Sequence, residues 1–253
     1  GSFTSTRVGA QREDTVSYTT KSVSADIERT MGFGRDRLGS IYLQLQKEDS
    51  TAAGDTTNTF ILIPGIRFSQ RGYENLIRPT RGFHYKLEAR GTTQSFGSDV
   101  GFAQLLGYGD ALLPLAGRFS LKMRGQAGAT SMNGSILDVP VSFRFFTGGD
   151  NSVRGYAYQS LGPKNAQGDV VGGKHLLVGS VELEGAIGQN WGAAVFYDTG
   201  NAFDDLDSLT LAQGAGVGIR YYTPVGPIRL DIARQVGVSD AEYRFHFTVG
   251  MQF

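Results

Sequence analysis

From Tyr243 to Phe253 the chain alternates one residue at a time. Tyr243, Phe245, Phe247, Val249, Met251 and Phe253 fall on one phase, and Arg244, His246, Thr248, Gly250 and Gln252 on the other. An apolar period of two over that length predicts a strand with one apolar and one polar face. The pattern recurs in Phe83, Tyr85 and Leu87 against His84, Lys86 and Glu88, in Val181 and Leu183 against Ser180, Glu182 and Glu184, and in Ile228, Leu230 and Ile232 against Arg229, Asp231 and Ala233. Along the whole chain it predicts about twelve strands, near 3–12, 16–29, 39–49, 57–70, 82–93, 99–114, 117–130, 174–187, 190–203, 210–223, 226–236 and 243–253. Loops rich in Gly, Asp, Ser and Thr separate them, as at 47–57, 92–99 and 204–208. Residues 131–173 form one far longer connection. Compact and longer links alternate, and an even strand number puts both termini on the short-turn side. No linker divides the chain, so 1–253 reads as a single domain.

A soluble β-sandwich also alternates, but its strands are short and its water-facing residues need no particular identity. Here the strands are long, and aromatics gather near strand ends at Phe83, Phe119, Trp191, Tyr221, Tyr222 and Tyr243. Both features favour an all-β, antiparallel transmembrane β-barrel, with the apolar face toward lipid and the polar face lining a lumen. Lipid demands closure, because an open edge leaves backbone amides unpaired in hydrocarbon. The first strand is therefore expected to pair with the last, although Phe3 to Gln11 is polar and weakly patterned.

Composition narrows the classes further. With no Cys there is neither a disulfide scaffold nor a thiolate metal site. The 24 basic and 24 acidic side chains cancel, which argues against binding nucleic acid through net charge. The best apolar run, Thr59 to Ile66, contains Pro64 and falls far short of the ~18 residues of a membrane-spanning helix. The opening Gly1-Ser2 lacks Met and a basic-then-apolar leader, and reads as a processed or cloned end rather than a signal peptide.

Candidate chemistry concentrates in the long connection. Paired glycines and Asp-Asn in Gly148-Gly149-Asp150-Asn151 predict a tight turn, and Arg154 stands beside Gly155, which permits close backbone approach to a wall. A guanidinium folded into a lumen needs acceptors, and strand parity offers Glu182 and Asp198 on lumen-facing phases. The alternative is that both are ordinary hydrated wall charges. His84, His175 and His246 lie on separate strands, so no metal site is expected. Gly214, Gly216 and Gly218 share one strand face and do not form a dinucleotide-binding turn; they leave room for a loop or let the wall bend. No nucleophile elbow or triad is present, and Asp204-Asp205-Leu206-Asp207 is too short and irregular for calcium. No enzyme and no cofactor is read.

The run Arg144-Phe145-Phe146-Thr147-Gly148-Gly149-Asp150-Asn151-Ser152-Val153-Arg154-Gly155-Tyr156 carries a resemblance to a known family. So do Gly179-Ser180-Val181-Glu182-Leu183, the strand Phe196 to Phe203, the turn Thr223 to Asp231 and the terminal Phe253. Together they resemble the C-terminal barrel of the BamA/TamA outer-membrane assembly and translocation superfamily, with the TamA-type barrel as the nearest pattern. The resemblance implies a sixteen-stranded barrel whose long loop enters the lumen, anchored through Arg154, Gly155 and Tyr156, with Glu182 and Asp198 as wall partners. It implies that Tyr243, Phe245, Phe247 and Phe253 belong to a seam strand and a C-terminal recognition signal. It also implies the bacterial outer membrane, a bilayer-embedded role in inserting client outer-membrane proteins such as autotransporters, and a periplasm-spanning partner. The chain departs from the pattern in showing no POTRA repeats and in a first strand that corresponds to about the family's fifth. A secretion pore for a fused patatin-like or other passenger, and a structural or engineered small pore, are the alternatives.

Overall fold

The computed structural model describes residues 1–74, 79–224 and 226–250. Twelve strands form one antiparallel sheet in chain order: β1 (Ser2–Asp14), β2 (Tyr18–Gly32), β3 (Arg37–Ala52), β4 (Asp55–Arg71), β5 (Gly82–Thr92), β6 (Phe102–Pro114), β7 (Phe119–Met132), β8 (His175–Ile187), β9 (Trp191–Phe203), β10 (Ala212–Thr223), β11 (Gly226–Val236) and β12 (Tyr243–Val249). Every strand is followed by its antiparallel neighbour, as an up-and-down barrel requires. β1 to β4 run longer than their apolar patterns, because the Ser- and Thr-rich ends of the hairpins stay in register up to Tyr18↔Ala52 and Ala52↔Asp55. No helix among the described residues is long and apolar enough to cross a membrane.

The two faces carry inverted chemistry. Ile41, Leu43, Leu45, Val181, Leu183, Val195, Val217, Ile219, Leu230, Phe245 and Phe247 are exposed, whereas Glu48, Glu88, Gln104, Glu182, Asp198, Arg220, Asp231 and His246 are buried. An apolar exterior around a charged interior is unstable in water and is what a hydrocarbon solvent selects. Aromatics mark one rim: Phe83 and Phe119 start their strands there, and Trp191 meets Tyr221 with ring centroids 4.7 Å apart.

Two expectations need correction. Among the described residues β1 pairs with β2 and β12 with β11, and no ladder joins β1 to β12. β1 also differs from the other strands in its outward phase, where Thr4 and Thr6 stand in line with outward Ile27 and leave it without a continuous apolar face. Nor is the inward face polar throughout. On β4, Phe60, Leu62 and Ile66 point outward while Ile61 and Ile63 point inward and are fully buried against Phe102, Ile136, Val139 and Phe143. A second apolar cluster joins Tyr18 and Ala52 to Val141, with the Phe146 ring tilted at 48° against Tyr18, centroids 4.9 Å apart.

Ile136, Val139, Val141, Phe143 and Phe146 all belong to the connection between β7 and β8, which packs on the inward face of the sheet. Short 3-10 turns at Ile136–Asp138 and Val141–Phe143 organise its first part, the former closed by a capping box between Ser135 and Asp138. Buried Arg144 donates to the carbonyls of Val139 (2.8 Å), Leu137 (2.8 Å) and Val171 (3.1 Å), tying the start of the connection to its end. Burial pulls its pKa down to about 10, an effect opposed by the nearby charges of Glu48 and Asp138.

Candidate functional site

The connection turns back on itself at Gly148 and Gly149, both at positive φ, and delivers Arg154 to the inner faces of β8, β9 and β11. Three contacts join it to Asp198: Nε donates to Oδ2 at 2.7 Å, Nη2 to Oδ1 at 3.0 Å, and the backbone N–H to Oδ2 at 3.1 Å. Nη1 donates to Glu182 Oε2 at 2.9 Å and to Asp231 Oδ2 at 3.0 Å. The guanidinium carbon also lies 3.3 Å from the ring centroid of Phe196. Asp198 has no solvent-exposed surface, so its charge is compensated by this arginine and by the Ser180 hydroxyl, which donates to Oδ1.

A second arginine completes the cluster. Arg220 on β10 donates from Nη2 to Glu182 Oε1 at 2.8 Å and from Nη1 to Asp231 Oδ1, so the two guanidinium groups share two carboxylates from opposite sides. Two planar forks and three carboxylates can satisfy one another in this way with little water, where lysine could not. The connection's charged neighbours hold Arg154 well above the ordinary arginine range, against the pull of burial.

The sheet makes room for this contact. Gly214 on β10 faces inward, and a Cβ there would overlap the carbonyl oxygen of Arg154. Gly155, at φ +97°, carries the chain past the β11 backbone at Arg234 and Gln235 in a conformation that L side chains rarely adopt. Its N–H donates to His246 Nε2 at 3.2 Å and its carbonyl accepts from Gln235 Nε2 at 3.1 Å. His246 Nδ1 meets the Asp150 carboxylate, so one imidazole on β12 grips the connection twice.

Five residues of chain then cross from the last strands to the first hairpin. Tyr158 donates its hydroxyl to Glu13 on β1 at 3.1 Å, Ser17 donates to the Gln159 carbonyl at 2.7 Å, and Tyr18 bonds the Gln159 side chain. Segment 155–159 is thus tied to both outer strands of the sheet.

Of the residues singled out by sequence, Arg154, Glu182 and Asp198 come together, and Gly155 lies beside them against the backbone of β11. Tyr156 stands apart from the ion cluster and lines a recess with Tyr158, Tyr243, Phe245 and His246. Tyr243, Phe245 and Phe247 point outward, 64%, 73% and 64% exposed, on the face of β12 opposite His246. Phe253 lies outside the described residues. Arg220, Asp231 and His246 were not singled out as members of the cluster. Their inward phase was readable, but inward phase alone does not choose among the many charged wall positions.

A charged, tied interior behind an apolar exterior defines an integral membrane β-barrel. A family model described as the Omp85 superfamily domain matches residues 2–253, and the chain belongs to that family. It is 28% identical over 204 residues to the outer membrane protein assembly factor BamA of Nitratidesulfovibrio vulgaris, covering 74% of this chain and 25% of that protein. With BamA of Neisseria meningitidis it shares 24% identity over 178 residues, covering 55% and 22%. The chain therefore spans about a quarter of the length of these curated relatives. The crystal structure of BamA from Haemophilus ducreyi lacking POTRA domains 1-3 superposes with a TM-score of 0.81 at 18% identity, covering 98% of this chain and 58% of that one. CdiB from Acinetobacter baumannii superposes with a TM-score of 0.59 at 14% identity, covering 91% and 42%. At those identities the structural matches speak to the fold.

Proposed function

We propose that this barrel assists insertion or translocation of other outer-membrane proteins, autotransporters among them, with segment 133–174 acting as a lumenal plug anchored by Arg154. The observation that carries the reading is the Arg154 clamp within an Omp85-family barrel: three carboxylates on three strands converge on one loop residue. Such an anchor holds the connection inside while the wall itself changes shape. Work on a client would fall to the outer strands. β12 presents Tyr243, Phe245 and Phe247 to lipid, and its edge toward β1 is unpaired among the described residues. An edge of this kind can template an incoming strand through main-chain hydrogen bonds, with pockets for alternate side chains. The process needs no covalent chemistry and no nucleotide. Partners are the bilayer, unfolded client barrels and a periplasm-spanning protein.

An open secretion or diffusion pore is disfavoured, because the connection crosses the inward face and is tied to it at both sides, at Ser17 and at His246. The test is reconstitution in phosphatidylethanolamine/phosphatidylglycerol vesicles with an unfolded client barrel, its folding followed by heat-modifiable gel mobility. Faster client folding with low steady conductance is expected. Large steady conductance with no effect on the client overturns the proposal and favours a pore.

A further inference from the structure

The wall has a defect far from the β1 and β12 edges. β4 pairs with β3 along its full length, from Arg37↔Gln70 to Ala52↔Asp55, yet with β5 it pairs only from Gly65↔Arg90 to Arg71↔His84. The ladder stops where Pro64, which has no N–H, takes its place in β4. Beyond it the loop after β5 substitutes for a strand. Phe60 N–H donates to Asp99 Oδ2 at 2.7 Å, Leu62 N–H donates to Ser98 Oγ at 2.9 Å, and Asp99 N–H donates to the Phe60 carbonyl at 2.9 Å.

Over this break the exterior is hollow. A recess of about 950 Å³ opens between β4 and β7 and adjoins a second of about 500 Å³; Ile66, Ala89, Leu105 and Ala129 line both. Between Ile66, Leu87 and Leu105 several outward positions are small: Ala89, Gly91, Ala103, Ala127 and Ala129. The larger recess reaches through to Phe102, whose ring packs at 5.6 Å on Phe143 of the connection, with Tyr42, Arg90, Gln104 and Thr130 beside it. Its upper end, toward the long connection, carries Thr92, Thr93, Ser131 and His175. Long loops of such barrels are extracellular, which sets the recess in the outer half of the bilayer.

We infer that this recess seats an acyl chain of an extracellular-leaflet lipid, with the lipid's polar group at Thr92, Ser131 and His175. Continuity with the lipid-facing surface supplies the occupant, and the amphipathic lining matches it end for end. A client β-strand does not fit over the recess, because the β4 donors there are absent or used: Pro64 has none, and those of Phe60 and Leu62 are taken by Asp99 and Ser98.

The experiment uses the full chain in phosphatidylethanolamine/phosphatidylglycerol vesicles containing a phospholipid with a photoreactive diazirine on its acyl chain. Labelling is mapped by peptide mass spectrometry. Label concentrated on β5 to β7 near Ala89, Leu105 and Ala129 is expected, together with a lipid that survives mild-detergent extraction. Ala129→Phe should abolish that retention, and Val217→Phe, on the outward face of β10, should preserve it. Label spread evenly over all outward strands overturns the inference. So does lipid retention unchanged in a folded Ala129→Phe barrel, or a client polypeptide captured by a photoreactive residue at position 129. The diazirine map on the unaltered chain decides the matter if the variant does not fold.

Discussion

The carbonyl oxygen of Arg154 occupies the space that a side chain at Gly214 would need. Loop and wall meet there backbone to backbone, and the ion cluster sits around that contact. Gly214→Val should push the connection off β10 and lengthen the Arg154–Asp198 bonds. Overpacking of this kind costs about 1–3 kcal/mol. The check is a lower unfolding temperature in the heat-modifiable mobility assay, with Gly179→Ala, at a strand position with room for a methyl, as the reference for a generic glycine effect.

Arg154→Ala leaves Asp198 buried with the Ser180 hydroxyl as its remaining side-chain partner. Removing one member of a buried pair costs about 3–5 kcal/mol. Arg154→Lys should recover part of this, since a point charge cannot span Asp198 and Glu182 together. Denaturant midpoints in detergent for Ala, Lys and an Arg154→Ala/Asp198→Ala double variant test it: the double variant should be more stable than the sum of single losses predicts.

Phe143→Ala empties the apolar wedge between β4, β6 and the connection. A large-to-small change at such a site costs about 3–5 kcal/mol. Because Gln104 donates to the Phe143 carbonyl at 2.6 Å and not to its side chain, the backbone anchor survives, and loss of stability without loss of the connection's protease protection is the expected pair of results.

Tyr158→Phe and Glu13→Gln touch one exposed hydrogen bond at 3.1 Å, so each should shift global stability by no more than about 0.5–1.5 kcal/mol. The effect should instead be local: faster amide exchange in β1 and β12, with β6 to β9 unchanged. Uniform exchange across all strands would show that segment 155–159 does not restrain the outer strands.

Strand number, order and facing were legible because alternation is strict in β5, β7, β8, β11 and β12, and each phase has one solvent. It failed at Ile61 and Ile63, where both faces of β4 are apolar and period two carries no information about direction. Arg154, Glu182 and Asp198 stood out by parity and by a lone guanidinium in a glycine-rich turn. Arg220 and Asp231 did not: they face each other across one hairpin, but their link to Glu182 and Arg154 joins segments far apart in sequence. The β1 to β12 pairing was expected from lipid physics alone, with no pattern in the residues of β1 to support it.

The connection between β7 and β8 meets Glu13 across 145 positions in one direction and His246 across 91 in the other. Its contacts are split between strands made before it and strands made after it, so neither half of the sheet can seat it alone. Non-local contacts of this sort slow folding, because loop closure is paid before any of them form. A segment whose anchors come from both halves of the sheet is seated only when both are in place, so its burial reports that the wall around it is complete.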